Sequence, residues 1–193
     1  MHPTCLYSAA GLSRTRTVKP EITGEEPNIL IREPVLKDGL SVHHLVERCP
    51  PLDLNSQYAY NLMGGYFAKT CAVAEVDGKI VGFLLGFIPP DKQDRFFVWQ
   101  VAVDKEHRRG GTAQKLLYDI LSRPACAQVR FVEATATPSN EASKKFFSNF
   151  ATRTQGRIEF SPFLSREDLG GEHEEELLIT IGPFTPLHTT KNE

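Results

Sequence analysis

Phe97-Val98-Trp99-Gln100-Val101-Ala102-Val103-Asp104-Lys105-Glu106-His107-Arg108-Arg109-Gly110-Gly111-Thr112-Ala113 is the run from which the fold can be worked out. Its first half is aromatic and β-branched, the composition of a buried strand. Its second half is an Arg/Gly loop, beyond which Leu116, Leu117, Ile120 and Leu121 recur at helical spacing. Strand, glycine loop and helix N-terminus together make an anion site. Gly110 and Gly111 can take positive φ and let backbone N–H groups come close to a ligand. The unpaired N–H groups of the first helical turn, at Thr112 and Ala113, then point at that ligand, and the macrodipole favours negative charge there. Arg108 and Arg109 add delocalised positive charge. The anion that fits is a pyrophosphate.

The loop is not a P-loop, because no Gly-Lys-Ser/Thr follows the glycines. Nor is it a dinucleotide fingerprint, because Gly-x-Gly-x-x-Gly is absent. Arg108-x-x-Gly111-x-Ala113 resembles instead the Arg/Gln-x-x-Gly-x-Gly/Ala signature of the GCN5-related N-acetyltransferases, which hold the pyrophosphate of acetyl-CoA at this loop. The bland alternative is a strand-to-helix turn with solvated arginines. The resemblance implies acetyl-CoA as co-substrate and an α/β fold whose mixed, mostly antiparallel central sheet is flanked by helices.

At 193 residues the chain suits a single core. A formal net charge of −2 makes no electrostatic case for nucleic acid or an anionic membrane as partner. No apolar run is long enough to span a bilayer. Residues 1–27 lack the apolar core of a signal peptide and read as a disordered leader. The catalytic domain is expected over residues 28–184, with a flexible tail over 185–193. Cys5, Cys49, Cys71 and Cys126 are widely separated and form no metal-ligand or redox pair, which reads as reduced thiols in a cytoplasmic protein with no metal site.

The order of expected elements is as follows. A short strand at 29–32 leads through Pro34 to a helix ending near Cys49, where Pro50-Pro51 breaks it. Asn55 or Ser56 caps a second helix running to about Lys69. Strands at 71–76 and 79–88 flank an Asp77-Gly78 hairpin turn. Strands follow at 95–103 and 128–135, Asn140 caps a helix to about Asn149, and late strands at 155–160 and 176–181 pair with each other. Strands first antiparallel, then alternating with helices, give a mixed α/β fold on one sheet.

Over residues 28–184 the chain resembles, more narrowly, the diaminobutyrate acetyltransferases of ectoine biosynthesis. The carrying segments are Leu52-Asp53-Leu54-Asn55-Ser56-x-Tyr58-Ala59-Tyr60, the strand Phe97 to Val103, and Thr137-Pro138-x-Asn140-Glu141-Ala142-Ser143. The late stretch His173-Glu174-Glu175-Glu176-Leu177 agrees with them. The resemblance implies acetyl transfer from acetyl-CoA to the γ-amine of L-2,4-diaminobutyrate. It also implies a bacterial, cytoplasmic homodimer induced under osmotic stress.

That chemistry assigns roles. A free amine attacks a thioester carbonyl, so the ammonium must first lose a proton, and the tetrahedral oxyanion needs a preorganised donor. By resemblance, the backbone N–H of Val101 is that donor, while Ala102 and Val103 run beside the pantetheine arm. Asn140 and Ser143 or Lys144 contact the pantetheine or phosphate end. Asp53 is expected to hold a substrate amine; otherwise it is an acid at a helix N-terminus. Tyr58 is either a site residue or a packing tyrosine. Trp99, the single tryptophan, is a pocket wall offering cation–π contact, or a core residue. Strand alternation puts Trp99, Val101 and Val103 on one face and Gln100 and Ala102 on the other. Glu133, an acid amid apolar neighbours, is paired, exposed or a general base working through water. His173, Glu174 and Glu176 border the final strand; His173 is expected on the substrate, while Glu174 and Glu175 read as a solvated acidic run.

One departure stands out. The position at which many members of the superfamily carry a tyrosine that protonates the departing thiolate is Phe147, counted along Asn140-x-x-Ser143-x-x-Phe146-Phe147. A phenyl ring donates no proton, so Tyr58, water or no acid at all takes that part. Two other functions remain open to the same sequence: transfer to a different small amine such as a polyamine, and a catalytically silent acyl-CoA sensor.

Overall fold

The computed structural model describes residues 28–188; the expected leader at 1–27 and residues 189–193 of the expected tail lie outside the described residues. Strands β1 (Leu30–Arg32), β2 (Ala72–Val76), β3 (Lys79–Phe87), β4 (Arg95–Val103), β5 (Phe131–Ala136), β6 (Arg157–Leu164) and β7 (Glu176–Gly182) form one sheet in the order β1-β2-β3-β4-β5-β7-β6. Only β4 and β5 run parallel; every other neighbouring pair is antiparallel. Helices α1 (Gly39–Glu47), α2 (Gln57–Tyr66), α3 (Thr112–Leu121) and α4 (Glu141–Thr154) cover the two faces. The mixed, mostly antiparallel sheet is the one the sequence led us to expect.

Each face has its own core. On one, Val42, Leu45, Tyr60 and Met63 of α1 and α2 pack on Val73, Phe83 and Leu85. On the other, the apolar stripe of α3 and Phe150 of α4 pack on Leu84, Phe96, Val98 and Val132. Leu116, Leu117 and Ile120 are fully buried. Truncating one of them to alanine would cost about 2–5 kcal/mol, because lost transfer energy and a cavity add. At the sheet edge Arg32 ties β1 to its surroundings, its guanidinium reaching Asp38 at 2.7 Å and Glu75 at 2.8 Å.

Local signals held where they were strongest. Asp77 and Gly78 both have positive φ, 49° and 76°, as a tight hairpin turn of primed type requires. Ser56 caps α2, its hydroxyl accepting from the Ala59 N–H at 3.3 Å.

Three expectations change. Helix α4 runs past Asn149 to Thr154, because Phe150 and Ala151 still face the core and the chain leaves the helix only at Gln155, with φ 56°. β6 begins at Arg157 and extends to Leu164, and β7 pairs with it but also with β5, lying between the two. The third change bears on function. Along the β3–β4 ladder Leu85 faces Gln100 but Gly86 faces Val98, so Trp99 is one extra residue on β4. Such a bulge breaks the period-2 alternation. Trp99 therefore packs with the α1/α2 core, as Ala102 does, while Val98 and Val101 lie against the opposite one. The simple alternation that grouped Trp99 with Val101 and Val103 fails at this point.

Candidate active site

The parallel ladder joins Arg95–Val98 to Phe131–Ala134 and goes no further. From Trp99 onward β4 has no partner on its β5 side, and a cleft opens between the strands. The Asp104 N–H donates to the Val81 carbonyl at 2.7 Å, which sets the phase of the antiparallel ladder. Residues alternate in such a ladder, so Ala102 bonds toward β3 while Val101 and Val103 direct their N–H and C=O groups into the cleft. Arg108 takes up one of these groups, its Nε donating to the Val103 carbonyl at 2.8 Å.

Two cavities adjoin along this cleft, of about 880 Å³ and about 650 Å³. They share walls at Pro51, Leu52, Val101, Asn140, Ala142 and Ser143, so Val101 stands at their junction. The charges divide between them. Among the described residues, Asp53, Glu141, Glu174 and Glu176 line the larger cavity, and no lysine or arginine does. Of the same residues, Arg108, Arg109 and Lys145 line the smaller, and no described carboxylate does.

The smaller cavity is built by the loop between β4 and α3. Arg109 and Gly111 sit at φ 70° and 74°, a left-handed conformation that glycine tolerates and arginine adopts at a cost of order 1 kcal/mol or more. α3 has no capping side chain, and among the described residues no backbone N–H from Arg109 to Gln114 finds a protein acceptor. A row of orphan donors at a helix N-terminus, walled by cations, suits a pyrophosphate. Gln114 and His107 also line this cavity, each with a buried, unpartnered atom, Oε1 and Nδ1 respectively. The residues present therefore fit coenzyme A.

In the larger cavity the carboxyl of Glu176 is perturbed upward. Burial holds its carboxyl above the ordinary range; the Thr135 hydroxyl opposes this, and the negative charges of Asp53 and Glu174 add to it. Its Oε2 is buried without a partner. Glu174 is exposed, and the Ser139 hydroxyl, donating to it at 2.6 Å, holds it below its usual value. Unsatisfied negative charge in a recess is a receptor for ammonium groups.

Most of the expected site residues converge here. Asp53, Trp99 and His173 line the larger cavity, Ala102, Val103, Arg108, Arg109, Gly111, Thr112 and Ala113 the smaller, and Val101, Asn140 and Ser143 both. Asn140 also caps α4, its Oδ1 accepting from the Ser143 N–H at 3.0 Å.

Four residues are not brought to the cavity walls. Tyr58 is 70% exposed, because capping by Ser56 phases α2 so that Tyr60, Met63 and Gly64 face inward instead. Glu133 is buried but paired with Arg95, outside both cavities. Lys144 reaches the Pro138 carbonyl and Glu141, off the face of α4 that Ala142, Lys145, Phe146 and Asn149 turn to the smaller cavity. Gly110 lies in the loop with open space around it. Phe147 does line the larger cavity.

Glu141, Gln114 and Lys145 were missed from sequence, and Glu174 and Glu176, placed at the border of the final strand, were given no role. A signal existed for Glu176, at an inward position of an alternating strand. Lys145 was recoverable from the spacing of the α4 face. The thiols of Cys71 and Cys126 are pushed up to about 11 by burial, which makes them poor nucleophiles. His43, His44 and Glu47, the grouping of metal-type ligands found among the described residues, lies on α1 outside both cavities.

Comparison with known proteins agrees with this geometry. Residues 40–151 match the acetyltransferase (GNAT) family. The chain is 42% identical to an L-2,4-diaminobutyric acid acetyltransferase of Chromohalobacter salexigens over 92% of its own length and 93% of the relative's. Against the enzyme of that name from Marinococcus halophilus it is 45% identical, covering 84% and 94%. Among solved structures, the diaminobutyrate acetyltransferase of Paenibacillus lautus, in complex with its substrate L-2,4-diaminobutyric acid and coenzyme A, superposes with a TM-score of 0.78 at 40% identity, covering 82% of this chain and 96% of that one. The Ard1 structure from Thermoplasma volcanium, at 20% identity and a TM-score of 0.64, shares the fold. A splayed β4–β5 pair with an acid recess at one end and an anion loop at the other thus goes with a measured kinship, and the chain belongs to the L-2,4-diaminobutyric acid acetyltransferases of the GNAT acetyltransferase family.

Proposed function

We propose that this protein transfers the acetyl group of acetyl-CoA to the γ-amine of L-2,4-diaminobutyrate, giving N4-acetyl-L-2,4-diaminobutyrate on the way to ectoine, by direct attack within a ternary complex. The observation that carries the reading is the division of charge along one cleft: carboxylates alone at one end, cations and orphan N–H groups at the other. A diammonium substrate and a pyrophosphate-bearing one would meet where Val101 stands.

Acetyl-CoA, when bound, supplies the acetyl group as a thioester. The chain's own groups do the rest. Arg109, Lys145 and the loop N–H groups bind the pyrophosphate. Asp53 and Glu176 hold the two ammonium groups, with Trp99 as a wall, and His173 and Asn55 offer N–H donors to the substrate carboxylate. Glu176, whose proton affinity burial has raised, accepts the proton of the attacking amine directly or through water. The Val101 N–H donates to the carbonyl oxygen as negative charge develops there, a contribution worth about 3–4 kcal/mol in comparable sites. Phe147 stands at the usual acid position, so the thiolate leaves without a tyrosine; with a thiol pKa of about 8.5 for a model cysteine this costs little.

The domain responsible is residues 28–184. The reading extends to a cytoplasmic homodimer made under osmotic stress. β6 is an edge strand with Phe160 46% and Phe163 51% exposed, a surface that a second copy would cover. Light scattering on a sizing column reads that state directly, and a monomer at micromolar concentration would remove the dimer. No helix among the described residues is long and apolar enough to cross a membrane.

The test is release of CoA thiol from acetyl-CoA against 2,4-diaminobutyrate, ornithine, lysine, spermidine and a peptide, with proton NMR locating the acetyl group. Turnover of 2,4-diaminobutyrate at the γ-nitrogen is expected. Turnover of another amine alone would keep the fold and discard this substrate; binding of acetyl-CoA without turnover would leave a sensor.

A further inference from the structure

Asp53 sits on an exposed loop between α1 and α2, and a loop carboxylate is a poor anchor unless something fixes its backbone. The fixing groups come from β4 and α2. The Trp99 bulge turns Gln100 toward the α1/α2 side, where its amide is 8% exposed. Gln100 Nε2 donates to the Asp53 carbonyl at 2.8 Å. Its Oε1 accepts from the Tyr60 hydroxyl at 3.1 Å, and Tyr60 Oη accepts from the Asn55 N–H at 3.2 Å. Tyr60 is itself 1% exposed, its ring edge-on to His43 and Phe83 and tilted against Trp99. Both ends of the segment from Asp53 to Asn55 are therefore clamped, one by Gln100 directly and the other through Tyr60, by a relay whose centre is buried.

We propose that Gln100 is a positioning residue for substrate recognition: with Tyr60 as intermediary it locks the Asp53–Asn55 segment, and so the Asp53 carboxylate, against the bulge that presents Trp99. Three features favour this over simple packing. A glutamine amide in a core is costly unless both ends are paired, and here both are. The same one-residue bulge sends Trp99 and Gln100 to one side, so cavity wall and loop clamp share a single backbone feature. The relay touches the loop's main chain, not the Asp53 carboxylate, and leaves that carboxylate free to meet an amine. The proposal rests on the reading that the larger cavity takes the diamine.

The experiment compares Gln100→Met, which keeps length but removes donor and acceptor, with Tyr60→Phe, which removes only the hydroxyl, in the full chain. Wild type is first assayed with 2,4-diaminobutyrate, so a failure of the functional reading shows before any variant is made. In active protein, Gln100→Met should raise the KM for diamine about tenfold while the KM for acetyl-CoA stays within about twofold. In an Asp53→Asn background the same substitution should add less than about twofold, since a residue acting through Asp53 has little left to position. Hydrogen exchange at the Asn55 amide should quicken about tenfold in both variants, with β4 amides unchanged. A matching rise in both KM values, full additivity with Asp53→Asn, or unaltered Asn55 exchange would each overturn the proposal. Tyr60→Phe keeps it falsifiable should Gln100→Met fold poorly.

Discussion

Arg108 and Val103 are joined by a hydrogen bond from guanidinium Nε to carbonyl oxygen at 2.8 Å, and Nη2 of the same arginine lies 3.6 Å from Cys49 Sγ. The first arginine of the loop thus secures the end of β4 to the end of α1. Arg109, exposed and at positive φ, has no such partner among the described residues and is the freer cation.

Arg108→Ala should therefore lower both thermal stability and affinity for acetyl-CoA, while Arg109→Ala should raise the KM for acetyl-CoA several-fold and leave the melting temperature unchanged. The Arg109 effect should shrink at high salt, as expected for an exposed charge. Melting curves and steady-state kinetics at two salt concentrations separate the two residues.

Glu133 is paired with Arg95 across the parallel ladder, 4% exposed and away from the cavity walls. Glu133→Gln should cost about 1–3 kcal/mol of stability, since a half-exposed arginine loses its counter-charge. The pH–rate profile should not move. Denaturant titration reads the first; loss of the acidic limb of the profile would instead make Glu133 the base.

On the proposed mechanism Val101 acts through its main chain. Val101→Ala should change kcat by less than about threefold, whereas Val101→Pro, which deletes an N–H that the β3 ladder does not use, should lower kcat by about 100-fold or more. Acetyl-CoA binding measured by calorimetry should persist in the proline variant.

Glu176 carries a pH signature. Its carboxyl titrates above the ordinary 4.5 because burial and neighbouring acids disfavour the charge. A raised carboxyl favours folding while protonated, and that contribution is lost as pH rises through the folded value. Glu176→Gln should accordingly raise the melting temperature of the unliganded protein by about 1–3 °C at pH 7.5, and by less at pH 4. The same variant should raise the KM for the diamine. Scanning calorimetry at the two pH values gives the sign.

Much of the architecture was legible because its signals are local. The Asp77-Gly78 turn, the Ser56 cap and the apolar stripe of α3 follow from residues close in the chain, and each appears as expected. The anion loop was equally readable, since glycine, helix start and arginines are contiguous. Helix α4 runs past the expected end near Asn149 because Phe150, one position beyond, packs into the core. Tyr58 lies outside the cavities because α2, phased by its Ser56 cap, turns Tyr60 inward instead, and only packing on the sheet decides that.

The sequence by itself determined the elements, the sheet class, the Arg/Gly loop that opens α3 and the family, because strand periodicity, capping and turn chemistry act over a few residues. Tertiary structure alone decided which side chains meet. Whether Trp99 keeps company with Val101 or with Gln100 depends on one bulge in a ladder with β3. Whether Glu133 faces a substrate or an arginine depends on the register of β5 against β4. Asp53 and Glu176, distant in the chain, face one recess only because β4 and β5 part beyond Val98. Such contacts are set by long-range pairing and packing, which no local pattern encodes.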